Sequence, residues 1–120
     1  MTDFFRQPDF DAFVLTLPGT RLVDQWESRV AKVGDKVFSL MRPDRHPNRL
    51  VVKVTEESFE ILTALEGIEQ APYFAKRKWV TIREGAPLSE EDLAYYVTRS
   101  HALVAAGLTK KLRAELGIPL

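Results

Sequence analysis

The 120-residue chain predicts an α+β fold, a twisted antiparallel sheet with helices packed on one face. Two observations carry this. Short β-rich pieces follow one another from Arg21 to Val54, with turns between them. Helical periodicity flanks that run on both sides, and a long amphipathic segment occupies the last third. Strands grouped in sequence and joined by short turns pair antiparallel, because parallel neighbours need a long crossover each time.

Asp9 to Leu17 places Phe10, Phe13, Val14 and Leu17 at helical spacing behind an acidic start, and Pro18-Gly19 stops it. Strands are expected at Arg21–Gln25, Arg29–Val33, Lys36–Met41 and Arg49–Val54, with Gly34-Asp35 as the tight turn between the second and third. The loop Arg42–Asn48 holds Pro43 and Pro47, which remove ladder donors and so keep it out of a central strand. Thr55 caps a second helix with Glu56 and Glu57 in its first turn, Phe59, Leu62 and Leu65 inward, and Gly67 at its end. Ile68–Phe74 reads as extended around Pro72, Ala75–Lys78 as a turn, and Trp79–Arg83 as a strand. Ser89 followed by Asp92 is a capping signal for a long helix carrying Leu93, Tyr96, Val97, Ser100, Val104 and Leu108 on one stripe. A final turn or short helix from Thr109 to Leu116 ends at Gly117 and Pro119.

With 45% hydrophobic residues the chain can bury one core, so residues 1–120 are expected to form a single domain. Seventeen basic and seventeen acidic side chains give zero net charge. Neither half departs much from balance, so any electrostatic site must be local. The absence of cysteine excludes disulfides, thiolate zinc sites and a cysteine nucleophile. No stretch approaches the roughly 18 uncharged residues of a membrane span, and Met1–Gln7 lacks an apolar core. A cytoplasmic monomer is expected, with no membrane association.

His46 and His101 have no partner at a metal-ligand spacing, so neither a metal nor a cofactor is expected. Nucleophile elbows, P-loops and dinucleotide fingerprints are absent. The pairs Glu56-Glu57 and Glu90-Glu91 sit in first helical turns, where the helix dipole accounts for them. Catalysis is therefore not expected.

The densest local constellation is Lys76-Arg77-Lys78-Trp79 with Arg83. If Val80 and Ile82 enter the core, Trp79, Thr81 and Arg83 share the opposite face, and a tryptophan beside cations can stack on a base. The same parity sends Arg49, Val51 and Lys53 outward together, making two basic rows possible neighbours. The plainer reading is a solvated charged turn with Trp79 covering the edge of a core. The group Arg42, Arg45, Arg49 is weaker, being interrupted by Asp44. Lys110, Lys111 and Arg113 lie near a helical C-terminus, where cations complement the dipole.

Leu17-Pro18-Gly19, Trp26, Lys32 through Phe38, Leu50-Val51-Val52-Lys53, Ala71-Pro72-Tyr73, Trp79-Val80, Ser100 through Val104 and Leu108 through Leu112 together resemble the MmcQ/YjbR family. The resemblance implies a CyaY-like (frataxin-like) architecture, and its members are commonly described as DNA-binding. By position, Lys53, Trp79 and Ser100 match the family's recurring lysine, tryptophan and serine. Two departures stand out: His101 lies where the family often has tyrosine, and the turn before Trp79 is unusually basic. Frataxin-like iron binding would call for an acidic ridge, and the first helix offers only Asp9 and Asp11. The expected function is thus salt-sensitive DNA binding, with Lys53, Lys76, Arg77, Lys78 and Arg83 on phosphates and Trp79 stacking. The alternative is a protein- or small-ligand-binding module with an apolar pocket near Trp79 and Lys53 at its rim.

Overall fold

A computed structural model describes residues 2–42, 48–72 and 78–119. The elements run α1 (Gln7–Val14), β1 (Thr20–Gln25), β2 (Ser28–Val33), β3 (Lys36–Arg42), β4 (Arg49–Lys53), α2 (Glu56–Thr63), β5 (Ile68–Gln70), β6 (Trp79–Arg83), α3 (Glu90–Ala105) and α4 (Lys110–Glu115). The strands form one antiparallel sheet in the order β1-β2-β3-β4-β6-β5. This is the expected α+β fold.

Local chemistry sets most boundaries. The Thr55 hydroxyl accepts from the Ser58 N–H at 3.1 Å and starts α2. Ser89 and Asp92 exchange side-chain-to-backbone bonds at the start of α3, a complete capping box. Thr109 caps α4 in the same way through the Leu112 N–H. Helix α1 begins and ends earlier than its periodicity suggests. Pro8 fixes a helical φ in the first turn, while Pro18 disfavours helical backbone at Leu17. Within the segment expected to be extended, Ile68–Phe74, the strand covers Ile68–Gln70, with a turn at Pro72 and with Tyr73 and Phe74 outside the described residues.

The main core lies between the sheet and the helices, where Phe4, Phe10, Phe38, Met41, Leu50 and Leu62 are fully buried. One irregularity shapes it. Ala31 pairs with Ser39 but Lys32 with Val37, so Phe38 is an extra residue on β3. The bulge aims Phe38 into the core while Val37 joins the opposite face. The β3–β4 ladder ends at Ser39↔Val52, and there Ser100 from α3 intervenes. Its hydroxyl accepts from the Lys53 N–H at 2.7 Å and donates to the Phe38 carbonyl. A helix side chain thus supplies the bond that the bulge removes. Arg29 on β2 forks onto Asp11 of α1 through two 3.0 Å bonds and reaches Asp24 of β1, tying the first helix to the sheet. Among the described residues no helix is long and apolar enough to cross a membrane.

Candidate functional site

The pairing of β4 with β6 sets the chemistry of the sheet face that the helices leave uncovered. Leu50 stands opposite Ile82 and Val52 opposite Val80 on the core side. On the other side Arg49 faces Arg83, Val51 faces Thr81 and Lys53 faces Trp79. The two outward rows expected from strand parity are indeed neighbours.

That outer face is more apolar than a solvated basic surface. Val51 is 5% exposed and Thr81 2%. Val51 forms a second buried cluster with Val30, Leu40 and Ala71, with Trp79 packed half-buried against both this cluster and the main core. Trp79 is therefore a packing residue at the junction of two cores, not a freely presented stacking surface. Lys53 is half-buried, with its N–H held by Ser100. Arg83 bonds Glu69 at 3.1 Å, and Lys78 is exposed. Lys76 and Arg77 lie outside the described residues, as do Arg45 and His46. The fold groups Lys53, Trp79 and Arg83 with their pairing partners and leaves Lys78 beside them at the start of β6.

What the face does contain is a cavity of about 500 Å³ whose lining includes Leu40, Val51, Ala71, Thr81 and the arginines Arg42 and Arg49. Trp26, 64% exposed, stands at its wall. Trp26 and Glu27 are the two turn residues between β1 and β2, with φ of 53° and 58°. Such a turn ordinarily takes Asn-Gly, because left-handed backbone crowds a Cβ and costs roughly 1–2 kcal/mol per residue. Two hydrogen bonds hold the backbone in this costly position. The Trp26 carbonyl accepts from the Ser28 hydroxyl at 3.2 Å and from an Arg42 Nη at 3.4 Å.

The arginines line up through register. Arg42 is paired with Arg49 and Arg49 with Arg83, so three guanidinium side chains occupy one row across β3, β4 and β6. The Nε atoms of all three are shielded from solvent and have no hydrogen-bond partner among the described residues. Like charges directly opposite destabilise a sheet, and a buried donor without an acceptor costs about 1–3 kcal/mol. Only Arg83 has a carboxylate partner among the described residues.

His101, on the buried side of α3, places Nε2 2.7 Å from the Pro18 carbonyl and its ring edge-on to Phe38. That is a packing role. Among the described residues no three His, Asp or Glu side chains converge as a metal site would require.

Sequence reasoning missed Trp26 as a site residue and discounted Arg42 and Arg49. The available signal was a large aromatic in a two-residue turn between strands, where glycine or asparagine is the physical expectation.

The model of the YjbR family matches residues 15–103. Among solved structures, a Deinococcus radiodurans protein with the family-model domain DUF419 superposes with a TM-score of 0.84 at 28% identity, covering 94% of this chain and 88% of that one. A Pseudomonas syringae protein, a structural genomics target, superposes with a TM-score of 0.67 at 20% identity, covering 82% of this chain and 97% of that one, a likeness of fold. No functionally curated protein matches the chain.

Proposed function

The chain belongs to the YjbR family, and we propose that it is a non-catalytic binding module that receives a small ligand on the sheet face opposite its helices. One observation carries this reading: the cavity of about 500 Å³ lined by Leu40, Val51, Ala71 and the largely exposed Trp26. Ligand sites are typically concave, mostly apolar and ~300–1,000 Å³, with a few polar groups for orientation. The left-handed backbone at Trp26 adds weight, since strain of this kind concentrates where function requires a fixed side chain. The neutral solvatochromic dye prodan tests it. Its emission should rise and shift to the blue with the wild-type protein, and both changes should largely disappear with Trp26→Ala, which removes an exposed ring and little buried surface. Unchanged prodan emission in the wild-type protein overturns the reading.

DNA binding, the role expected from the resemblance and its CyaY-like architecture, is the second reading. The row Arg42, Arg49, Arg83 with Lys53 and Lys78 nearby favours it. With about five phosphate contacts, log affinity should fall against log salt with a slope near −3 to −4. A flat salt response removes this reading and leaves the first untouched.

A further inference from the structure

We infer that the pocket selects a small organic anion: an aromatic or apolar ring bearing one oxyanion group, carboxylate or phosphate monoester, seated on Arg42 and Arg49. This rests on the ligand-binding reading above and adds the charge and shape of the ligand.

The arginine row is the reason. Adjacent strands lie about 4.8 Å apart, so three opposed arginines concentrate positive charge within roughly 10 Å, in a chain whose net charge is zero. Glu69 compensates Arg83 at one end. Arg42 and Arg49 line the cavity and have no carboxylate partner among the described residues. Folding alone disfavours that arrangement, because the charges repel and their Nε–H donors go unused. An oxyanion offsets the repulsion, since a guanidinium presents parallel N–H groups at the spacing of two carboxylate or phosphate oxygens.

The remainder of the ligand follows from the rest of the lining. Leu40, Val51 and Ala71 offer no hydrogen-bonding side chain, so the body beside the anion should be apolar. Trp26 lines the same cavity and is largely exposed, which favours a flat body able to stack on its ring. The volume limits the ligand to a small molecule, since about 500 Å³ holds a ring system with one substituent rather than a polymer segment.

A matched trio separates charge from shape: 1-naphthyl phosphate, 1-naphthoate and 1-naphthol, titrated calorimetrically into the wild-type protein and Arg49→Met. Methionine keeps an apolar stem and removes the charge. Both anions should bind the wild type about tenfold or more tighter than 1-naphthol, the range of a charge-assisted hydrogen bond. Arg49→Met should abolish that preference, bringing both anions to the affinity of 1-naphthol. Arg42→Met on the neighbouring strand gives the same readout independently, should Arg49→Met fail to fold. Equal affinity of all three probes for the wild type, or a preference that survives both substitutions, overturns the anion assignment while the pocket reading stands. No binding of any probe overturns both.

Discussion

Replacing Ser100 with alanine removes one oxygen that serves two strands. In the folded protein that oxygen accepts from the Lys53 N–H and donates to the Phe38 carbonyl, at a side chain with no solvent exposure. Alanine leaves both backbone groups in place and unpaired. A buried group that loses its partner costs about 1–3 kcal/mol, so the pair should cost about 2–4 kcal/mol once some relaxation is allowed. Total stabilities of small domains are about 5–15 kcal/mol, so this is a large share. Urea unfolding should show a lower midpoint at an unchanged slope, the sign of lost stability without a change in exposed area. Amide exchange should localise the effect, with the Lys53 N–H losing protection relative to that of Val52 on the same strand. Thr63→Ala is the control, since its hydroxyl bonds to the Phe59 carbonyl within its own helix, α2, and should cost well under half as much. A loss below about 0.5 kcal/mol for Ser100→Ala, or a Lys53 amide as protected as before, would refute the bridging role.

Trp26→Asn should stabilise the protein by about 1 kcal/mol, because asparagine tolerates left-handed backbone and the lost ring is mostly exposed, while prodan binding falls; thermal unfolding and dye titration on one sample check both. Asp11→Asn should cost about 1–3 kcal/mol in urea unfolding by breaking the fork to Arg29. Bonding to Asp11 raises the Arg29 pKa above its ordinary value. A raised pKa means that the guanidinium's contribution is fully present below the unfolded value and lost only above it, so stability from this pair should hold through the accessible alkaline range.

Much of the fold was legible because its signals are local. Thr55 and Ser89 announce helix starts by chemistry within three residues, and strand alternation correctly sent Val80 and Ile82 inward and Arg49 and Arg83 outward. The bulge at Phe38 was not legible, since it is defined by a partner strand's register and by the Ser100 hydroxyl far along the chain. The site failed to show for a similar reason. Arg42, Arg49 and Arg83 form a row only because β6 inserts between β4 and β5, a pairing that no local pattern encodes. Alternation says which residues share a face but not whether that face is wet. Val51 and Thr81 therefore read as outward, yet the structure buries them in a second cluster, and Trp79 becomes packing while Trp26 takes the exposed position.

The sheet face opposite the helices is proposed to receive a small ligand beside Trp26. Two-dimensional NMR of the uniformly labelled protein, titrated with 1-naphthyl phosphate, tests it most directly. Saturable shifts at the Trp26 indole and at the backbone amides of Leu40, Arg49, Val51 and Thr81, with Leu93 and Val97 of α3 undisturbed, are the predicted result. Shifts confined to the helical side, or none at any concentration of the probe, would contradict it.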